Sequence, residues 1–301
     1  MDPKNILITG GTGFIGKFLV SELLKAGHFI TIITRSPEKF NEKQAENRTY
    51  IGWENNLTPV MEKMDVVINL AGENLFGQRW SNSVKEKIYN SRIETTKMLA
   101  DAMKKAKPAP ELFISASGVG IYGDNGDTVL DESSATGNDF LAKVCIDWEK
   151  ESQKAAAAGV RVVNPRIGIV LEDSGGMLEK MVLPFRLFVG GPIGSGRQYV
   201  PWIHIQDLCR AFIYPIENRD ISGAYNACSP EPETMNELAR ALGKVMHRPS
   251  LFRVPEFVLK TILGEAAQPA LCSLRVQPKV LQISGFEFEF EDLEEALADV
   301  I

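Results

Sequence analysis

A glycine-rich segment near the amino terminus has the residue types and spacing of a phosphate-binding turn. Its sequence, GGTGFIG, follows a short apolar run and precedes a helical pattern. One glycine permits the tight turn, another lets the backbone approach a pyrophosphate, and a third lets the helix pack against the strand. The amino terminus of the helix then offers free N–H groups to the anion. We therefore predict dinucleotide contacts from six residues, Gly10, Thr12, Gly13, Phe14, Ile15 and Gly16.

The end of the second predicted strand carries the residues that distinguish the two nicotinamide dinucleotides. An NAD site usually places an acidic residue there, about 20 residues after the glycines, to bind the ribose 2′-hydroxyl. This chain has Thr34, Arg35 and Ser36 instead. A guanidinium forms charge-assisted hydrogen bonds to a 2′-phosphate, which a carboxylate would repel. The sequence therefore predicts NADP(H) as the cofactor. The alternative is that Arg35 is a solvated residue at a strand end.

Alternating apolar runs and helical patterns position these residues in the first half of the chain. Short runs rich in Ile, Val and Leu predict strands at residues 5–9, 29–34, 66–70, 112–117 and 161–166. Because the runs are continuous rather than alternating, both faces of each strand are expected to be covered. The predicted fold is α/β, a Rossmann-type doubly wound parallel sheet with a smaller, mostly helical C-terminal portion.

Helical spacing fills the gaps between these runs. A long helix is predicted over residues 81–107 and another over residues 140–158. The inner face of the first is expected to carry five apolar residues, Ile88, Ile93, Met98, Leu99 and Met103.

The second half of the chain has a different rhythm. We predict a nucleotide-binding domain at residues 1–170 and a smaller substrate-side portion at residues 171–301. Glycines and a proline at 190–196 predict an irregular loop, and helical patterns recur at 205–217, 235–246 and 293–300. The alternating Phe and Glu residues of 286–290 fit either a half-buried strand or an extended lead into the last helix.

Composition excludes several classes of protein. The chain of 301 residues has 33 basic and 39 acidic residues, a net charge of -6, so it lacks the basic excess of a nucleic-acid-binding protein. Its apolar runs are shorter than the roughly 18 residues of a membrane span. Three scattered histidines offer no metal-binding spacing, and four cysteines without C-x-x-C spacing suggest buried thiols in a reducing cytoplasm. We expect a cytoplasmic protein that binds a small molecule. Whether it forms a homodimer is left open.

Longer motifs carry a resemblance to a known superfamily. The glycine loop and NLAG at residues 69–72 resemble the extended short-chain dehydrogenase/reductases. NLAGEN, SRIETT, GGPIGSG and PWIHI, together with Arg79 and Trp80, narrow the likeness to its atypical "epimerase family", the sugar-nucleotide-epimerase-like proteins. The resemblance covers essentially the whole chain, including a family-specific C-terminal segment at about 248–301.

The resemblance implies further contacts to the cofactor. Arg92 would project from its helix towards the diphosphate or the nicotinamide ribose, with an ordinary helix ion pair as the alternative. Lys87 is a weaker candidate of the same kind. The remaining implied contacts lie at strand ends, at Leu70, Ala71, Gly72, Ser115, Arg166 and Val170.

The same resemblance implies catalytic residues. Members of the superfamily polarise a carbonyl with a Ser or Thr, and a Tyr transfers the proton while a Lys four positions later lowers its pKa. Ser117 matches the polarising residue. The expected helix, residues 138–145, has no tyrosine, and Asp139 four positions before Lys143 would form an ion pair. Tyr122 would replace the missing tyrosine if its loop folds inward. The candidates are therefore Ser117, Tyr122 and Lys143.

Two functions remain open at this point. The first is an NADP(H)-binding oxidoreductase or epimerase-like enzyme acting on a small polar substrate, with nucleotide sugars included. The second is an NADP(H)-binding redox-sensing or regulatory protein without turnover, because the Tyr-x-x-x-Lys pair is absent.

Overall fold

The computed structural model describes residues 2–301. Its strands are β1 (Asn5–Thr9), β2 (Phe29–Thr34), β3 (Arg48–Gly52), β4 (Val66–Asn69), β5 (Leu112–Ser115), β6 (Ser117–Gly118), β7 (Val129–Leu130), β8 (Arg161–Ile167), β9 (Ile169–Leu171), β10 (Tyr199–Val200), β11 (Trp202–His204), β12 (Gly223–Ala227), β13 (Glu233–Thr234) and β14 (Arg275–Val276). Its α-helices are α1 (Phe14–Lys25), α2 (Leu57–Met61), α3 (Asn82–Lys105), α4 (Phe140–Gln153), α5 (Gly176–Arg186), α6 (Ile205–Glu217), α7 (Met235–Val245), α8 (Glu256–Leu263), α9 (Gln268–Leu271), α10 (Lys279–Ile283) and α11 (Leu293–Val300).

The main sheet is parallel and doubly wound, as predicted. Its strands run in the order β12-β8-β5-β4-β1-β2-β3, and β6 also pairs with β8. Ile6 and Ile8 pack with α1 and α6 on one face, whereas Leu7 packs with α2 and α3 on the other. Both faces are therefore covered, and the carboxyl edge is left for a ligand, on either side of the point where the strand order reverses.

Two strands of this sheet were not predicted, and both lie at its edges. β3 has the sequence RTYIG and β12 has GAYNA, each with polar or small residues in place of a continuous apolar run. An edge strand is less enclosed than a central one, so its sequence carries a weaker signal. The predicted strand at 112–117 is also divided, because Ala116 separates β5 from β6.

The structure corrects one further prediction and decides between two alternatives. Met98 was predicted on the inner face of α3 but is 46% exposed, because one residue step along a helix rotates it by about 100° from buried Leu99. The segment at 286–290 is extended and forms no strand. The backbone N–H groups of Glu289 and Phe290 donate instead to the buried carboxylate of Asp207, at 2.8 and 2.9 Å.

A second core lies in the later part of the chain. Residues of α5, α7 and α11 pack around buried Trp202, and β11 pairs with β9. This core adjoins the carboxyl edge of the main sheet through β9, which follows β8 after one residue. Within residues 2–301, no helix combines the length and apolarity that crossing a bilayer requires.

Candidate functional site

The glycine segment forms a tight turn between β1 and α1. Gly10 has a φ of 69°, which favours glycine, and its carbonyl accepts a 2.9 Å hydrogen bond from the Gly13 N–H. A Cβ at Gly16 would lie 2.1 Å from the same carbonyl, so only glycine permits this approach of helix and turn. Gly13 is the residue directly before α1, and no side chain caps the start of the helix. The N–H groups of the first helical turn, from Phe14 to Gly16, are therefore available to an anion.

The end of β4 lies directly against this turn. A Cβ at Gly10 would be 2.7 Å from the Leu70 carbonyl oxygen, and the Ala71 N–H donates to Thr9 Oγ1 at 3.3 Å. Below them, buried Asn69 accepts from Thr9 Oγ1 at 2.6 Å and donates to Ser115 Oγ at 3.2 Å. The predicted contacts from β1 and β4 thus come together, while Ser115 lies beneath them in a polar network.

Arg92 is held by backbone rather than by a carboxylate. Its guanidinium donates to the carbonyl oxygens of Ile88 and Glu73, at 3.0 and 3.1 Å, and lies 5.2 Å from the centroid of the Trp148 ring. A Cβ at Gly72 would be 2.9 Å from its Cζ. The predicted alternative, a helix ion pair, is therefore not what the described chain forms at Arg92. Burial lowers the pKa of this guanidinium.

Two other predicted cations, Arg35 and Lys87, are exposed. Arg35 follows β2, next to the end of β1, and is without an ion pair in the part of the chain that the structure describes. The Ser36 N–H lies 3.5 Å from Thr34 Oγ1. Lys87 is exposed on α3. Because Arg35 is unpaired and no carboxylate stands at residues 34–36, this strand end fits a 2′-phosphate.

Ser117 and Tyr122 belong to one buried polar network. Ser117 Oγ donates to Glu149 Oε1 at 2.7 Å, and Glu149 binds Arg166 through two hydrogen bonds of 2.9 and 3.0 Å. Arg166 also donates to the Tyr122 hydroxyl at 2.9 Å, which itself donates to Asn226 Oδ1 at 2.7 Å. The structure therefore brings together two candidate catalytic residues and Arg166, a candidate cofactor contact.

Burial keeps Tyr122 protonated, and Glu149 keeps Arg166 charged. Burial raises the pKa of Tyr122 to about 12, although Arg166 acts in the opposite direction. Burial acts to lower the pKa of Arg166, but the hydrogen bonds and charge of Glu149 outweigh it, and the pKa is raised. A phenol with this pKa does not ionise near neutral pH.

Glu149 was not among the predicted site residues. It lies on α4 one turn after Cys145, which lines the cavity described below. That spacing of four is the signal in the sequence that would have found it.

Lys143 lies apart from the network and is exposed on α4. The predicted ion pair between Asp139 and Lys143 is not formed. Asp139 instead caps α4 by accepting from the Ala142 N–H at 2.9 Å, and its other oxygen accepts from Gln268 Nε2 at 2.9 Å. The α4 residues that line the cavity are Leu141 and Cys145, four positions apart.

A cavity of about 160 Å³ lies where the carboxyl edge of the sheet meets the later part of the chain. Gly118 and the segment 167–169 form one wall, α4 forms a second, and residues 268–270, Cys272 and Leu274 form a third. The side chain of Val170, a predicted cofactor contact, packs in the main core. Among residues 2–301, no three His, Cys, Asp or Glu side chains are grouped closely enough to hold a metal ion.

The cavity and the glycine turn are connected. The ring of Phe14 lies against the glycine pair before Met177, since a Cβ at Gly175 would be 2.4 Å from Phe14 Cδ2. Met177 lines the cavity. The first turn of α1 and the cavity therefore lie along the same carboxyl edge of the sheet, with Phe14 and Gly175 in contact between them, and we refer to this stretch of the edge as the groove.

Comparison with known families gives two matches. Residues 6–228 match the model of the NAD dependent epimerase/dehydratase family. Residues 254–300 match a domain of unknown function, DUF1731. The first match contains the whole glycine turn and the polar network, and the second contains the third wall of the cavity.

Individual relatives agree along the full chain. The epimerase family protein YfhF of Bacillus subtilis is 40% identical over 301 residues, which is 99% of this chain and 98% of the relative. The human epimerase family protein SDR39U1, solved with NADPH, is 33% identical with a TM-score of 0.89 over 98% of both chains. A nucleoside-diphosphate sugar epimerase of Corynebacterium glutamicum is 32% identical with a TM-score of 0.78, over 99% of this chain and 58% of that one.

Proposed function

This chain belongs to the NAD dependent epimerase/dehydratase family, and we propose that it is an NADP(H)-binding, epimerase-like oxidoreductase that acts on a small molecule in the cavity. The observation that carries the proposal is that the uncapped first turn of α1 and the cavity lie along the same carboxyl edge of the sheet. The likeness to a human relative solved with NADPH supports the choice of cofactor.

Each part of the groove suits one part of NADP(H). The free N–H groups of α1 hold the diphosphate through hydrogen bonds and the positive end of the helix dipole. Arg35 pairs with the 2′-phosphate. Partly buried Arg92, hydrogen-bonded to two carbonyl oxygens, adds positive potential beside Gly72. When bound, NADPH supplies a hydride and NADP⁺ accepts one.

The chain's own contribution to chemistry centres on Ser117. In the structure the Ser117 hydroxyl donates a hydrogen bond to Glu149. A hydroxyl polarises a substrate carbonyl only by donating to it, so Ser117 must rotate its proton away from Glu149 on substrate binding. Glu149 keeps both hydrogen bonds from Arg166 in that rotation, which limits the cost. Tyr122 stays a hydrogen-bond donor to Asn226 and orients Arg166.

A second function is supported by the α4 residues that line the cavity. Leu141 supplies no proton, and burial raises the pKa of the Cys145 thiol to about 11. Lys143, which would assist a proton transfer, is exposed. These residues favour an NADP(H)-binding regulatory protein without turnover.

One experiment separates the two functions. NADPH is titrated into the purified protein by calorimetry, and its absorbance is then followed with a panel of carbonyl compounds. The enzyme proposal expects saturable binding together with consumption above the background of the Gly13→Val variant. Tight binding without consumption supports the regulatory protein, and absence of binding overturns both.

A further inference from the structure

The cavity at the end of the groove has an unusually uniform chemistry for a family named after sugar-nucleotide epimerases. Its walls are glycine backbone and apolar side chains, such as Val119, Leu141, Ala270 and Leu274. In the part of the chain that the structure describes, Asp139 is its only charged lining residue, and no Lys or Arg faces it. A diphosphate placed there would lose its hydration without gaining a cation.

The polar atoms of the lining are already satisfied or neutral. Both Asp139 oxygens accept hydrogen bonds, from the Ala142 N–H and from Gln268 Nε2. Burial raises the pKa of the thiols of Cys145 and Cys272 to about 11 in each case, so both remain uncharged near neutral pH. The cavity therefore offers shape and apolar contact rather than ionic recognition.

Two cations adjoin lining residues in the chain without lining the cavity themselves, Arg275 after Leu274 and Arg166 before Ile167. The Arg275 guanidinium stacks on the Tyr199 ring, 4.9 Å from its centroid. Arg166 gives two of its hydrogen bonds to Glu149 and a third to Tyr122. Recruiting Arg166 for a phosphate would leave Glu149 as an unpaired, mostly buried carboxylate, which is costly.

Size points in the same direction. The volume of about 160 Å³ is close to that of an engineered cavity of about 150 Å³ that binds benzene. A single ring with a short polar substituent fits such a space, whereas a nucleotide sugar is several times larger.

We infer that the cavity takes a compact, uncharged and mainly apolar molecule, such as an aryl or cycloalkyl ketone or the matching alcohol, and not a nucleotide sugar. This inference rests on the proposed function, because it identifies the substrate class of the same site. It replaces the small polar substrate that the sequence predicts.

The test measures binding rather than turnover. Saturation-transfer NMR is recorded with acetophenone and, separately, with UDP-glucose, on protein loaded with NADP⁺. The oxidised cofactor blocks the nucleotide groove and cannot reduce the ketone. We expect saturation transfer to acetophenone and none to UDP-glucose.

Two variants locate the signal. Ala270→Phe fills the cavity from the third wall, far along the chain from the glycine turn, and should abolish transfer to acetophenone. Ala157→Phe adds the same ring at an exposed site and should leave the transfer unchanged. Cys272→Phe, on the same wall, replaces Ala270→Phe if circular dichroism shows that the latter is unfolded.

The outcomes separate this inference from the proposed function. Transfer to UDP-glucose that disappears in the filled variant overturns the inference, as does acetophenone transfer that is absent or that the filled variant leaves intact. NADPH titration of the same samples tests the proposed function independently. If NADPH does not bind, acetophenone and the cofactor-free protein still test the cavity alone.

Discussion

The two ends of the groove differ in how their polar groups are satisfied. At the glycine turn, the first N–H groups of α1 have no side-chain cap, and Arg35 has no ion pair in the described chain. At the cavity end, beside the lining residues Gly118 and Ile167, the side chains of Ser117, Glu149, Arg166 and Tyr122 form hydrogen bonds with one another. The polar groups at the first end therefore lack partners among the described residues and can bind an anion. The polar groups at the second end already have partners, so a ligand that binds them must break existing hydrogen bonds.

The largest effect is expected from breaking the network. Glu149→Ala leaves Arg166 as a buried charge with no carboxylate, which should lower the free energy of unfolding by about 3–5 kcal/mol. Urea denaturation measures this change. The control is Glu22→Ala, which removes one partner of the exposed pair with Lys25 and should change stability by less than about 0.5 kcal/mol. Equal effects of the two substitutions would show that the network does not carry stability.

The glycine turn should show the opposite behaviour, with binding lost and stability kept. At Gly13 a Cβ has 3.1 Å to its nearest neighbour, the Gly10 carbonyl oxygen, and φ is -83°. Gly13→Val should therefore fold, but its branched side chain blocks the approach of the diphosphate. NADPH affinity should fall by about a hundredfold or more in calorimetry, since the pyrophosphate must contact this backbone. Exposed Ala26→Val is the control, and unchanged affinity in the Gly13 variant would remove the turn from the cofactor site.

Substitution of Arg35 tests the 2′-phosphate part of the cofactor site. Arg35→Glu should lower NADPH affinity by about tenfold or more, because a charge-assisted bond is lost and a repulsion is added. The carboxylate should also offer a partner to the unphosphorylated ribose of NADH, so the preference reverses. Dissociation constants for both cofactors, in wild type and variant, measure the ratio. A ratio that does not move would make Arg35 a surface charge only.

The smallest expected effect is a pH dependence of stability, which comes from Tyr122 in the buried polar network. The pKa of Tyr122 is about 12 in the folded protein, against 10.0 for the free side chain. Between these values the unfolded chain loses the proton first, so stability is present below pH 10 and falls as the pH rises. At pH 11 the ionisation of Tyr122 in the unfolded chain has lowered the free energy of unfolding by about 1.4 kcal/mol. Between pH 9 and 11, Tyr122→Phe should therefore lose stability less steeply than wild type by about this amount, and equal slopes would place the phenol in water.

The cofactor end could be predicted from the sequence because its chemistry is local. Glycines at fixed spacing, a strand before them and a helix after them all lie within one short stretch of chain, and the structure has this arrangement. Arg35 follows from the same reasoning, since β1 and β2 are adjacent in the sheet.

The cavity end could not be predicted in the same way, because it depends on distant residues. Ser117, Glu149 and Arg166 come from β6, α4 and β8, and only the paired geometry shows that the serine hydroxyl is already donated. The prediction for α4 started from the position of Asp139 and Lys143, but the helix turns Leu141 and Cys145 to the cavity. Lys143 is two residues from each of these side chains, about 200° around the helix, and sequence spacing alone does not fix which face meets the cavity.

The third wall of the cavity and the glycine turn come from different stretches of the chain. Residues 268–270, Cys272 and Leu274 belong to the stretch that matches a separate family model, at 254–300, whereas the glycine turn lies in the stretch at 6–228. The C-terminal stretch therefore supplies part of the cavity lining but none of the glycine turn. Exchanging this stretch between relatives is expected to change the shape of the cavity while leaving the glycine turn as it is.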